Sequence, residues 1–256
     1  NDLLSMKWIL RYCSRSFLIR MSLFFRPLLR IYFSGNRFTD PIDYSNYRKF
    51  LPYGHGEKIR PHALCPGTLS LERHRLLWLF LERETDFLKK KISVLHFAPE
   101  QVFYKKFKTY QHWDYTTTDI TSPLADIKAD ICDLPFEDKT YDLILCNHVL
   151  EHIPDDLKAM SELYRVLKKG GTLIAQVPLD ENRNSTFEDN SVTDPQKRTE
   201  IFGQYDHLRI YGLDYYNRLS SVGFSSKAIL LQDRLTREEI ERFGLPIKEK
   251  IPLMTK

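Results

Sequence analysis

The chain has 256 residues, is 42% hydrophobic and 28% charged, and carries a formal charge of +4. That length suits one full α/β domain with a smaller appendage, and the charge is too slight to argue for nucleic acid by itself. The four cysteines (Cys13, Cys65, Cys132, Cys146) contain no CxxC pair, which argues against a disulfide framework and suits a reducing cytoplasm.

The positive charge concentrates early in the chain: Lys7, Arg11, Arg15, Arg20, Arg26 and Arg30 lie within residues 1–35, and Arg37 also precedes residue 40. The segment reads as basic helix broken near Pro27, with Lys7, Arg11, Arg15, Arg26 and Arg30 on one broad face and Arg20 away from it. Its apolar stretches are interrupted by arginine and fall short of the roughly 20 residues that span a bilayer. No uncharged h-region with a cleavage site is found. A cytoplasmic chain, at most peripheral at a membrane through this helix, is the expectation. Residues 36–69 are rich in Pro, Gly, Tyr and Asn, as in a small turn-dominated module. Ser70 reads as the N-cap of a helix that continues through Leu76, Leu77, Phe80 and Leu81.

From residue 92 strands and helices alternate. Strands are predicted at Ile92–Phe97, Asp114–Thr118, Ile127–Ala129, Tyr141–Cys146 and Thr172–Val177. Helices are predicted at Pro99–Lys108 and after Asp155 or Asp156, the latter stopping at Lys168-Lys169-Gly170-Gly171. A helix over Asp214–Val222, a strand over Phe224–Leu231 and a helix over Thr236–Phe243 follow. Lys250–Thr255 reads as a final antiparallel edge strand, the place where Pro252 is tolerated. The pattern implies an α/β fold with a mostly parallel sheet covered on both faces, divided as 1–35, 36–69 and 70–256.

In such a sheet, ligands bind beyond the carboxyl ends of the strands. The residues there are His96-Phe97-Ala98-Pro99-Glu100, Asp119, Asp130 and Asn147-His148. Carboxylates after the second and third strands suit an adenosine, whose ribose hydroxyls and adenine amine are donors. Asp130 to Asp142 resembles the D-x-x-x-L-P-F-x-D-x-x-F-D segment of type 11, ubiquinone-biosynthesis-like methyltransferases. Val149-Leu150-Glu151-His152 and Arg165 through Leu173 extend the likeness over about residues 90–180.

The resemblance implies a Rossmann-like class I methyltransferase sheet and S-adenosylmethionine as cofactor. It makes Asp119, with Ile120, the ribose site and Asp130, with Ile131, the adenine-proximal site. Asn147 and His148 are then expected near the methionine portion. The family's Gly-x-Gly-x-Gly loop is replaced here by Ala98-Pro99-Glu100, within a His-Phe-Ala-Pro-Glu run that resembles a bacterial subgroup. A pyrophosphate needs close backbone approach, whereas S-adenosylmethionine has no phosphate, so His96, Phe97, Ala98 and Glu100 remain cofactor candidates, Glu100 for the ammonium.

Asp40-Pro41-Ile42-Asp43 and Cys65-Pro66-Gly67-Thr68 resemble the two Cys-Pro-x-Cys knuckles of a zinc ribbon that has lost three thiolates, so no metal is expected there. After the long polar insertion Leu179–Arg198, Asp206 and His207 are candidates for the catalytic base, and Arg209 and Tyr211 for substrate contacts. His152 reads as a structural helix-start residue. The acceptor is expected to be a small molecule or glycan. An RNA or protein methyltransferase using the basic N-terminus, or a catalytically silent cofactor fold, stays open as an alternative.

Overall fold

The computed structural model describes residues 25–54 and 59–256. Most of the basic helix expected over residues 1–35 lies outside them. The chain packs as two compact units, residues 1–80 with 232–247, and residues 81–231 with 248–256. These do not follow the sequence boundaries at 35 and 69, because a late helix joins the first unit. No described helix is long and apolar enough to cross a membrane.

In the first unit, residues 25–32 form helix α1. Two small antiparallel ribbons follow: β1 (Ser34–Thr39) with β2 (Asn46–Tyr47), and β3 (Leu51–Tyr53) with β4 (Arg60–Leu64). The described arginines of the basic segment bond within this unit. Arg26 donates to the Gly67 carbonyl, and Arg30 bonds Ser45 and pairs with Asp43 at 3.1 Å.

The two knuckle-like segments are matching turns. Tyr44 N–H donates to Asp40 O and Leu69 N–H to Cys65 O, and both Tyr44 and Leu69 adopt positive φ. The fully buried Asp40 carboxylate joins them. It accepts from Ile42 N (3.0 Å), from Ser70 Oγ (2.8 Å) and from the Thr68 hydroxyl. Ser70 is therefore no N-cap. Helix α2 (Glu72–Arg83) starts one residue later, where His74 Nδ1 accepts from Leu71 N at 3.1 Å. Burial pushes the Cys65 thiol up to about 12, so it stays protonated.

Arg75 is buried beneath these turns. It donates to the carbonyls of Ser70, Ala63, Phe243 and Gly244 at 2.7–3.0 Å and lies 4.6 Å over the Phe50 ring. Those last two carbonyls tie the late helix, labelled α7 below, to this unit.

The second unit is built on one sheet. Its strands are β5 (Ile92–Phe97), β6 (Trp113–Thr118), β7 (Tyr141–Leu145), β8 (Leu167–Ile174), β11 (Ser225–Ile229) and β12 (Ile251–Thr255), in the order β11-β12-β8-β7-β5-β6. Strands β6, β5, β7 and β8 run parallel, and β12 runs antiparallel to both neighbours. Between the sheet strands lie helices α3 (Gln101–Phe107) and α4 (Asp156–Val166) and the insertion strand β9 (Phe187–Glu188). Helix α5 (Pro195–Phe202), strand β10 (Arg209–Ile210) and helices α6 (Tyr215–Ser221) and α7 (Arg237–Phe243) follow. This is the mostly parallel, Rossmann-like α/β fold expected. The buried core joins Leu95, Ile144 and Leu173 from the strands to Met160, Leu163 and Leu219 from the helices.

Three details differ from the sequence reading. The antiparallel strand is not at the edge but between β8 and β11. Pro252 is accommodated because the pairing with β8 involves only Leu253, Met254 and Thr255, leaving Pro252 opposite Ala228 alone. The predicted strand over Ile127–Ala129 contracts to one bridge, Thr118 to Ile127. Helix α4 ends at Val166, before the lysines, and β8 begins at once at Leu167. Gly170 N–H then bonds Lys256 O, and Lys256 N–H bonds Gly171 O, so the glycines close the ladder to the last strand rather than cap a helix.

Replacing Asp40 with Ala strands three donors and removes the nearest counter-charge of buried Arg75. The expected outcome is a loss of about 2–4 kcal/mol in urea unfolding followed through the first unit, with Asp40→Asn costing less.

Candidate functional site

The strand order reverses between β5 and β7, so their chains depart in opposite directions and leave a crevice at the carboxyl edge. The residues at that edge are held by backbone bonds that prolong the sheet: Ala98 N to Thr118 O (3.0 Å), Cys146 N to Ile174 O (2.9 Å) and His148 N to Gln176 O (2.7 Å). Two of them, Ala98 and His148, take positive φ of 44° and 54°. L-residues pay about 1–2 kcal/mol for that conformation, and such strain gathers at ligand sites. The loop without glycines thus keeps a glycine-like turn at Ala98.

Asp119, just past β6, accepts from Thr121 N and Ser122 N at 2.6 Å, both through Oδ1, so Oδ2 takes neither bond. Beside it Ile120 is 55% exposed. Asp130 is exposed, and its Oδ1 accepts from Cys132 N at 2.8 Å. Asn147 Oδ1 accepts from Gln176 N at 3.2 Å, while its buried Nδ2 has no partner. His148 Nε2 is likewise buried and unpartnered. These orphaned groups at the ends of parallel strands are what a polar ligand would satisfy.

Other candidates are committed elsewhere. His96 is fully buried with both ring nitrogens engaged, Nδ1 with Tyr115 Oη (2.8 Å) and Nε2 with Glu100 Oε2 (2.6 Å). It orients Glu100 and is not itself open to a ligand. Phe97 and Ile131 point into the core. Arg209 is saturated: it donates to Glu188 Oε2 (2.9 Å) and to the carbonyls of Leu150, Ile153 and Pro154, at 3% exposure. Tyr211 is fully buried and donates to Asp156 Oδ2 at 2.7 Å. Neither side chain is available to a substrate; both pin the segment after the insertion onto the start of α4.

His207 is nearly buried, with Nδ1 bonded to Phe202 O at 3.2 Å, and burial pushes its imidazole below the ordinary range. Asp206 does not orient it. The Asp206 carboxylate lies instead 3.5 Å from His152 Nδ1, and the His152 ring meets the His207 ring edge-on at 4.8 Å. Sequence reasoning set His152 aside and did not select Glu151, which is 1% exposed and has no hydrogen bond to either carboxylate oxygen. Only the fold juxtaposes them with His207.

The segment that carries Asp130 is anchored by a charged pair. Glu162 Oε2 accepts from Leu134 N (2.9 Å) and Arg165 Nη2 (2.8 Å), and Arg165 also donates to the carbonyls of Phe136 and Leu134 and to Asp138. The Leu-Pro-Phe turn is thereby fixed to α4.

Residues 90–175 match the methyltransferase domain family model. An uncharacterized protein of Methanocaldococcus jannaschii is 31% identical over 127 residues, 49% of this chain and 53% of that protein. The chloroplastic 2-phytyl-1,4-beta-naphthoquinone methyltransferase of Arabidopsis thaliana is 32% identical over 99 residues, 35% of this chain and 36% of that one. The chain thus spans about half or less of the length of these relatives. Among solved structures, the YcgJ protein of Bacillus subtilis aligns with TM-score 0.45 and 15% identity over 71% of this chain and 96% of that one.

The bond from Arg165 holds the Glu162 carboxyl below its ordinary value near 4.5. A depressed carboxylate stabilises the fold above its unfolded pKa, and that contribution is lost as pH falls through the folded one. Glu162→Gln is expected to cost about 1–3 kcal/mol at pH 7 and to flatten the loss of stability between neutral pH and pH 3, measured by urea unfolding across that range.

Proposed function

We propose that the chain is an S-adenosylmethionine-dependent methyltransferase acting on a small-molecule or glycan-like acceptor. The observation that carries the reading is Asp119. It is a carboxylate just past the carboxyl end of edge strand β6, next to β5, locked through one oxygen by two backbone donors, with the other oxygen left for a ligand and an exposed apolar neighbour at Ile120. The methyltransferase family match over residues 90–175 supports it.

In this proposal Asp119 Oδ2 accepts from the ribose hydroxyls and Ile120 covers a face of the adenine. Asp130 takes the adenine amine, with Ile131 contributing packing from beneath. Ala98 supplies a turn with little side chain, so the backbone can approach the methionine portion. Glu100, oriented by His96 and partly exposed, faces the ammonium. Asn147 Nδ2 has a donor to give to the cofactor carboxylate. The chemistry S-adenosylmethionine supplies is an electrophilic methyl group on a sulfonium. The protein's part is alignment, exclusion of water and removal of the acceptor proton.

Calorimetry with S-adenosylmethionine is expected to show one site per chain. Asp119→Ala should weaken it by about 1–3 kcal/mol with unchanged far-ultraviolet circular dichroism. Absence of both heat and thermal shift at millimolar cofactor would overturn the proposal, and unchanged affinity in the variant would remove Asp119 from it.

A further inference from the structure

The short 3-10 turn Leu150–His152 and the segment after α5 bring three ligand-type side chains together from distant parts of the sequence. One carboxylate oxygen of Glu151 and one ring nitrogen from each of His152 and His207 lie within 4.8 Å of one another. Ligands about 2.1 Å from a shared ion stand roughly 3.4 Å apart in a tetrahedral set, so a closure of about 1.4 Å completes the geometry.

A second observation points to a cation. Glu151 is 99% removed from solvent, being 1% exposed, yet neither of its oxygens accepts a hydrogen bond. Its neighbour His148 brings Nδ1 to 3.3 Å of Oε1 but without the alignment of a hydrogen bond. A carboxylate stripped of water and of donors is costly to bury, and a bound metal ion removes that cost.

The imidazoles are arranged as metal-ligating histidines usually are. His152 Nδ1 meets the Asp206 carbonyl at 3.2 Å and His207 Nδ1 meets the Phe202 carbonyl at 3.2 Å. A carbonyl can only accept, so each ring carries its proton on Nδ1 and presents an Nε2 lone pair. The scaffold beneath is rigid: Arg209 holds the carbonyls of Leu150, Ile153 and Pro154, and Leu208 N–H bonds Glu151 O at 3.0 Å.

We propose that Glu151, His152 and His207 bind a divalent first-row transition-metal ion of the zinc class, with at least one coordination position open to water or to an oxygen of the acceptor. Two imidazoles and one carboxylate form a donor set suited to such ions rather than to magnesium or calcium. The turn follows directly on Asn147-His148 at the end of β7, so the ion sits beside the edge where the cofactor is proposed to bind. Metal binding itself does not depend on methyl transfer.

The test uses the full chain without an affinity tag, stripped with chelator and titrated with Co²⁺ and then Zn²⁺. One equivalent of Co²⁺ is expected to bind with visible d–d absorption, to be displaced by Zn²⁺ and to raise the melting temperature. Glu151→Gln and His152→Gln should each weaken Co²⁺ at least tenfold, whereas His112→Gln, far from the cluster in sequence, should bind as the parent does. Should Glu151→Gln fail to fold, His152→Gln carries the comparison, because that side chain is partly exposed at 27%. No d–d absorption with the parent chain, or unchanged affinity in His152→Gln, would overturn the proposal. S-adenosylmethionine calorimetry on the stripped chain, run alongside, separates failure of the metal site from failure of the cofactor reading.

Discussion

Four parallel strands must all deliver their chains at one edge of the sheet, and the reversal of strand order between β5 and β7 leaves that edge open in the middle. Several polar contacts of the second unit answer this constraint. The backbone bonds from Ala98, Cys146 and His148 carry the ladder one to three residues past the strands, so the loop residues start from fixed positions. Glu162 and Arg165 do the same for the Leu-Pro-Phe turn. They replace a ladder that the third strand, reduced to one bridge, does not provide.

The first unit meets a different constraint. Two small ribbons cannot bury much surface, and such modules often depend on a metal to hold their turns. Here a carboxylate fills that role. Asp40 accepts from Thr68 and Ser70 across the two turns, and Arg75 answers its charge from below while satisfying four carbonyls. The residues that look like losses in a zinc ribbon make a closed hydrogen-bonded network of their own.

Periodicity made much of the second unit legible. Ile92–Phe97 reads as a strand because it is short and apolar, and it is one, residue for residue. In the first unit Thr236–Phe243 reads as a helix, and one runs over Arg237–Phe243 with Thr236 as its cap. What local pattern could not convey was partnership. Nothing near Pro252 says that its strand is paired on both sides further along, and nothing near Lys168 says that Gly170 will bond the last residue. Arg209 carries a charge that suggests an anionic substrate, but three of its partners are carbonyls from a turn more than fifty residues earlier. A side chain's type reveals what it can bond, not whether those bonds are already made.

Ala98 shows how the same limit bears on function. The absence of glycine from the first loop looks like the loss of a conformation, yet the backbone adopts positive φ there regardless. The side chain that results is one methyl group, small enough for a ligand without phosphate to approach. What the loop gives up is the freedom of glycine. What it acquires is the His96–Glu100 pair, an acid held at the head of α3 by a buried ring. Opposite it in the strand order, three residues past β7, stands a second strained residue, His148, followed within three residues by a buried carboxylate with no hydrogen bond. The two sides of the crevice are therefore unequal: one acid is already oriented by an imidazole, and the other accepts no hydrogen bond.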